Sequence, residues 1–296
     1  MRGVEGSGWG LMLPDVQSEK PEFPLRLGRV GISGLLVPSG SLQNGLLVLQ
    51  DAKIDAFVDL PSNQRGIHSS RTYEAVYQFL TRLNGQVELD SAVLGLAFEV
   101  LQRHDYSESA EVVLRARAFD VASSPMTSKP SYRWSKIKVA ARVSKRGDSS
   151  KFLQVSTLGI TACPCAKRVV QAMSGDEYDL TATHMQRTVG RIKLAYRADE
   201  SVQVNRVLEV LRSSFSSQVV DLLKRVDEAK VVVDAVTNPL FIEDSVRAAV
   251  RSLVRVFPNF ADEDLLEIEM KSVESIHSYD MVARFSGTVL EAKSLL

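Results

Sequence analysis

The sequence predicts an α+β fold: antiparallel strands in a sheet, with helix pairs on one face. Three observations carry this reading. Short β-patterned segments flank a pair of helix-patterned segments, and the same plan then recurs, so the order reads ββααββ and again ββααββ. Strands that precede and follow a helix pair pack most simply as an antiparallel sheet with both helices on one side. The 296 residues are 45% hydrophobic and 24% charged, the balance of a globular protein able to bury a sizeable core. The expected division is an irregular leader at 1–24, a first module at 25–148 and a second at 149–296. The repeat is one of element order and not of residues. Such a sheet leaves one face open, and an apolar open face would need burial by oligomerisation.

Each element follows from its pattern. Residues 1–24 are rich in Gly, Pro and charge and read as leader, including Leu13-Pro14-Asp15-Val16-Gln17. From Arg26 the chain is strand-like through Leu27, Val30, Ile32 and Leu35, closed by Pro38-Ser39-Gly40. A second β-rich run covers 46–60, and a loop at 61–71 leads to a helix at 72–83 with Tyr73, Val76, Tyr77, Phe79 and Leu80 at helical spacing. Asn84-Gly85 stops that helix. A second helix is expected at 91–103, ended by His104 as a favourable C-terminal charge. Strands at 110–122 and 131–144 follow, joined by the broken turn 123–130. In the second half a strand at 152–160 precedes a helix-friendly stretch at 166–173, and a strand covers 189–196. One long helix is expected over 202–224 and another over 242–257, then strands at 265–273 and 280–289.

Composition excludes some functions. Lys plus Arg equals Asp plus Glu at 36 each, so the chain lacks the basic excess of a non-specific nucleic-acid binder. Local basic patches remain available to a phosphorylated ligand. No apolar run reaches the roughly 20 residues needed to span a bilayer, and residues 1–10 lack the apolar core of a signal peptide. The expected location is cytoplasmic, without membrane or nucleic-acid partners, where thiols stay reduced. The two cysteines, Cys163 and Cys165, flank a single proline, too close for an unstrained disulfide.

The chemistry concentrates in Thr161-Ala162-Cys163-Pro164-Cys165-Ala166-Lys167-Arg168 and Ala182-Thr183-His184-Met185-Gln186-Arg187, which hold both cysteines and one of four histidines. Cys163 follows a strand and opens a helix, where unpaired backbone N–H groups stabilise a thiolate. Spacing alone leaves three readings open: a metal site, a nucleophile with its base, or small buried thiols with an incidental histidine. Glu228 reads as a solvated charge past the long helix, and Glu243-Asp244 as first-turn acids of the next. His277 falls between two strands, and His68 in the loop before the first helix.

Several separated segments resemble the metal-dependent type IB GTP cyclohydrolases, and within them the archaeal, methanopterin-pathway branch. They are Leu13-Pro14-Asp15-Val16-Gln17, Val58-Asp59-Leu60-Pro61, Arg65-Gly66-Ile67-His68-Ser69-Ser70-Arg71, Cys163-Pro164-Cys165-Ala166, Thr183-His184-Met185-Gln186-Arg187, Leu222-Leu223-Lys224-Arg225-Val226-Asp227-Glu228, Asn238-Pro239-Leu240-Phe241-Ile242-Glu243-Asp244 and Glu274-Ser275-Ile276-His277. They occur in the family's order over nearly the whole chain. The resemblance implies a tunnelling fold (T-fold), two ββααββ modules, and a homo-oligomer, dimer or tetramer, with active sites at chain interfaces. It implies Cys163, His184 and Glu228 as metal ligands, with Cys163 and His277 catalytic, His277 as proton carrier. Glu243 would anchor the guanine, and His68 and Arg71 would lie near the substrate. Fe(II) is the implied metal, one per subunit, with Mn or Zn as substitutes. Three such ligands leave an open position at which a divalent metal makes hydroxide at neutral pH. The implied reaction opens the imidazole ring of GTP at C8, releases formate and yields 7,8-dihydroneopterin 2′,3′-cyclic phosphate with diphosphate. The chain departs from the pattern in two places: Ser174-Gly175-Asp176-Glu177-Tyr178-Asp179 lengthens the Cys–His segment, and Ser-Ser-Arg ends the His68 motif in place of Met-Ser-Arg.

Two other functions compete. A thiol-nucleophile enzyme acting on a pterin or deazapurine would need Cys163 or Cys165 free of metal. A non-catalytic purine-binding protein of the same fold would bind its ligand regardless of metal.

Overall fold

Apolar residues at every second position make each long strand two-faced, and the sheet sorts the faces. The computed structural model describes residues 14–37, 43–44, 47–82, 88–175 and 180–294. The first half supplies β1 (Leu27–Leu36), β2 (Gln43–Asn44), β3 (Leu47–Leu60), α1 (Ser69–Arg82), α2 (Leu89–Arg103), β4 (Ser109–Ser123) and β5 (Pro130–Ser144). The second half supplies β6 (Ser149–Ala162), α3 (Pro164–Ser174), β7 (Met185–Arg197), α4 (Val204–Arg212), β8 (Ser217–Gln218), α5 (Arg225–Thr237), α6 (Ile242–Val256), β9 (Leu265–Ser272), β10 (Met281–Thr288) and α7 (Val289–Ser294). All join one antiparallel sheet of order β1-β3-β4-β5-β6-β7-β9-β10, with β2 on β3 and β8 on β6.

One row of directly paired residues locates the core. Ile54, Leu114, Val139, Leu153, Leu194 and Leu266 face one another in register across the sheet, and none is more than 2% exposed. Burying each contributes roughly 1.5–3 kcal/mol relative to leaving it in water. On this face α2 lies over β4 and β5, α4 over β6 and β7, and α6 over β9 and β10. Leu96, Val100, Leu208, Leu211, Val246 and Leu253 complete the same core.

The opposite face is mixed: exposed Tyr132, Trp134 and Val282 lie on it beside a charged row. Arg117, Lys136, Ser156, Arg191, Glu269 and Arg284 form one cross-strand row there. Lys193 pairs with Glu267 at 2.7 Å and Arg191 with Glu269 at 3.2 Å.

Two expected elements differ. The periodicity predicts one helix over 202–224, but α4 ends at Arg212. Arg212 there forks onto Asp120 of β4 at 2.8 and 3.0 Å. The next residues then fold onto the sheet, because Phe215 fills a slot that two glycines leave. A Cβ on Gly159 would sit 2.1 Å from that ring, and one on Gly190 would sit 2.8 Å from its tip. Helical periodicity cannot see a slot made by distant strands. At the other end, Val289 opens α7 instead of ending a strand. Thr288 Oγ1 accepts from Glu291 N at 3.2 Å and Glu291 Oε2 accepts from Thr288 N at 2.8 Å, a capping box that outweighs the strand pattern. The turn at Pro38-Ser39-Gly40, the stop at Asn84-Gly85, residues 1–13 of the leader and residues 176–179 of the inserted segment lie outside the described residues.

Candidate active site

The β6–β7 ladder runs to Ala162 opposite Met185, and its next step joins the two motif residues. Cys163 N donates to the His184 carbonyl at 3.0 Å, and Thr183 Oγ1 donates to the Cys163 carbonyl at 2.6 Å. Cys163 is the N-cap of α3, with Pro164 following, and its Sγ accepts from Ala166 N at 3.4 Å. That thiol therefore meets the positive end of a helix. Gly175 at φ 68° closes α3 in the left-handed conformation that glycine tolerates. Cys165 is exposed one residue into the helix.

Three further links gather other site residues at this end of the sheet. Buried Ser216, delivered by Phe215, accepts through Oγ from Ala162 N at 3.2 Å and Leu240 N at 3.1 Å. The residue before Cys163 and the approach to α6 thus share one hydroxyl. Glu243 stands exposed in the first turn of α6, whose N-cap Phe241 offers no side-chain cap. His184 Nδ1 lies 3.0 Å from Gln186 Oε1, and Gln186 Nε2 donates to Glu274 Oε1 at 3.2 Å. Glu274 leads into the loop where His277 stacks on Tyr279, ring centroids 4.9 Å apart.

Glu228 occupies the first turn of α5, exposed to solvent. Its neighbour Asp227 fixes that helix. The buried Asp227 carboxylate accepts from Met126 N at 2.8 Å, Thr127 N at 2.9 Å, Thr127 Oγ1 at 2.7 Å and Lys224 N at 2.9 Å. Burial pushes this carboxyl up, but those hydrogen bonds outweigh it and hold it well below the usual carboxylate range. Lys167 Nζ, donating to the Val236 carbonyl at 2.9 Å, ties α3 to the far end of α5.

His68 and Arg71 lie elsewhere. His68 Nε2 meets Asp15 Oδ1 at 3.1 Å, and Tyr106 OH accepts from His68 N at 3.1 Å. Arg71 Nη1 donates to the Arg103 carbonyl at 3.2 Å. These contacts bring the Asp15 and His68 motif segments together, beside the start of β4. The register sets the start of β4 level with the start of β6, whereas Cys163 follows its end. The 14 residues of β6 separate those ends by roughly 40 Å at about 3.3 Å per residue. The His68 end also holds a cavity of about 450 Å³ lined by Arg26, Arg142, Arg146 and four serines, with Asp148.

Cys163 and His184 fit two positions of a soft divalent metal: a thiol at a helix start beside an imidazole anchored through Nδ1. Among the described residues, no group of three His, Cys, Asp or Glu side chains is close enough to hold a metal ion. Glu228 is thus at the same end of the sheet as the pair without being gathered onto it. His104 differs from expectation. It is fully buried, donating to the Val100 carbonyl at 2.9 Å and facing Thr72 Oγ1 at 3.3 Å. Burial pushes its pKa down, so it is a neutral core residue and not a helix-end charge.

Sequence reasoning missed Ser216, Gln186, Glu274 and Asp227 as organisers of the site. Gln186 and Glu274 stood inside quoted motifs, and the period of two along a strand puts Gln186 on the side of His184. Ser216 carried no such signal, because its role depends on where Phe215 lands.

A family model described as type I GTP cyclohydrolase folE2 matches residues 13–283. The chain is 33% identical to a GTP cyclohydrolase MptA of Methanothermobacter thermautotrophicus, over 95% of each chain. It is likewise 33% identical to a GTP cyclohydrolase MptA of Methanosarcina mazei, over 92% of this chain and 93% of that one. Among solved structures, a uricase from Arthrobacter globiformis superposes with a TM-score of 0.51 at 10% identity, covering 88% of this chain and 94% of that one. That likeness shows the shared tunnelling fold and nothing of the chemistry.

Proposed function

The chain belongs to the type I GTP cyclohydrolase family, and from that premise we propose that it is a metal-dependent enzyme opening the guanine ring of GTP at C8. The reading continues to formate, 7,8-dihydroneopterin 2′,3′-cyclic phosphate and diphosphate, the entry to methanopterin synthesis. The observation that carries it is the Cys163–His184 backbone pair at the mouth of α3, tied through Ser216 to the helix that bears Glu243.

Each residue has a task in this reading. Cys163 and His184 would hold the metal, Fe(II) with Mn or Zn as substitutes, and Glu228 would be the third ligand. When bound, such a metal would lower the pKa of a water ligand and so provide hydroxide at neutral pH. The Glu243 carboxylate, in the first turn of α6, accepts the N–H groups of guanine. His277, exposed on the β9–β10 loop, carries protons to and from the opening ring. Arg71, His68 and the basic cavity at the far end cannot reach the Cys163 pair of their own chain. They complete the site of a second copy, and their charge suits the triphosphate. A homo-oligomer follows from this division of labour.

Anaerobic incubation with GTP and Fe(II), with and without chelator, tests the reading. Product should depend on metal, vanish in Cys163→Ala and His184→Ala, and have the mass of the cyclic phosphate. A triphosphate mass would overturn the product assignment, and full activity in chelator would overturn the metal. Among the described residues no third ligand is gathered onto the pair, which favours one alternative, a thiol nucleophile at Cys163. That reading expects metal-free turnover blocked by alkylation.

A further inference from the structure

Histidine can offer a lone pair from only one ring nitrogen while neutral, and its neighbours choose which. At His184 the choice is made by a chain of hydrogen bonds. Buried Ser272 donates through Oγ to Glu274 Oε1 at 2.7 Å. A carboxylate only accepts, so the amide group of Gln186 that faces Glu274 at 3.2 Å must be its NH2. The other end of that amide, Oε1, therefore faces His184 Nδ1 at 3.0 Å and accepts from it. Ser275 agrees: its hydroxyl donates to Gln186 Oε1 at 3.4 Å and faces Nδ1 at 3.4 Å with a lone pair.

We propose that Gln186 and Glu274 form a positioning relay that fixes His184 as the Nδ1–H tautomer and leaves Nε2 as its sole lone pair. This deepens the metal-site reading above, on which its ligand role rests. Glu274 orients the amide, the amide orients the imidazole, and the imidazole presents one nitrogen. The relay is made of side chains on two adjoining segments, the start of β7 and the end of β9, so it is set before any ligand arrives. Outer partners of this kind typically matter by about 10–100-fold in metal affinity.

Two measurements test it. Long-range proton–nitrogen NMR of the metal-free protein at mildly alkaline pH should show His184 protonated at Nδ1, and Gln186→Met should move that proton toward Nε2. Anaerobic Co(II) titration, followed by the visible spectrum, should show Gln186→Met weakened by about 10–100-fold. Gln186→Glu alone sets two carboxylates face to face and should bind weakly as well. Gln186→Glu combined with Glu274→Gln restores the acceptor for His184 and a donor to orient it, and should recover affinity to within about threefold. A merely structural role would leave the double variant no better than the single ones. A His184 protonated at Nε2 in the parent protein, or a failed rescue, overturns the relay. Nδ1 protonation that Gln186→Met abolishes, in a parent protein that binds no Co(II), upholds the relay and overturns the metal-site reading.

Discussion

Lys151 Nζ lies 3.0 Å from Asp90 Oδ2, with both side chains at most 1% exposed, and the pair joins the two halves of the chain. Asp90 opens α2, and Lys151 opens β6. The same carboxylate accepts from Tyr196 OH at 2.9 Å, Val202 N at 3.0 Å and Ser201 Oγ at 3.2 Å. Asp90→Ala should therefore cost about 3–5 kcal/mol, since it strands a buried ammonium. Replacing both partners, Asp90→Leu with Lys151→Met, should cost clearly less than Asp90→Ala. Urea unfolding of the parent and the two variants decides this, and a double variant as unstable as Asp90→Ala would refute the account.

Gly159→Ala should damage stability and site together. Its Cβ would meet the Phe215 ring at 2.1 Å, so the ring must leave its slot. Ser216 would move with it and release Ala162 and Leu240. Overpacking of this kind costs about 1–3 kcal/mol. Combining Gly159→Ala with Phe215→Leu should recover part of the melting temperature. Gly28→Ala, where a Cβ meets nothing within 4 Å, should leave melting within a degree or two of the parent.

His104 makes stability depend on pH in one direction. Burial holds its folded pKa below the ordinary imidazole value. As pH falls through about 6.5, the unfolded chain takes up a proton that the folded chain refuses. The unfolded state is then favoured, so stability falls with acid by at most about 1.4 kcal/mol per pH unit from this group. His104→Gln should flatten the dependence between pH 7 and pH 5.5 in thermal melts. An unchanged slope would show that His104 titrates alike in both states.

What the sequence revealed and what it hid divide along a physical line. Alternation in β4, β5, β6 and β7 and the helical faces of α2 and α6 are local, and the expected strands and helices stand where those patterns lie. The tunnelling fold followed from element order together with the motifs. What failed depended on partners far away in sequence. The helix over 202–224 broke because Gly159 and Gly190 accept Phe215 and because Asp120 captures Arg212. His104 looked like a helix-end charge until Thr72 and the core enclosed it. In the site, Cys163 at a helix start and His184 before a strand were legible, and the backbone contact that joins them follows from the β6–β7 pairing. The distance from that pair to His68 and Arg71 was not, because motifs keep order along the chain and not across the sheet.

That separation yields the sharpest test of assembly. If His68 and Arg71 serve the site of a second copy, inactive variants from opposite ends should complement one another. Cys163→Ala removes the pair at one end, and Arg71→Ala removes a side chain at the other, where it bonds the Arg103 carbonyl and Asp105 of its own half. Each variant alone should be inactive or nearly so with GTP. Co-expressed with different tags and purified through both, mixed oligomers contain interfaces built from the two intact ends, and activity should return. A mixture carrying both changes on one chain and neither on the other serves as the reference, since each of its pairwise sites between the two chain types holds only one intact end. Restoration only in the first mixture assigns the site to two chains. Activity absent from the first mixture, in oligomers proven to contain both variants, would overturn the site shared between two chains.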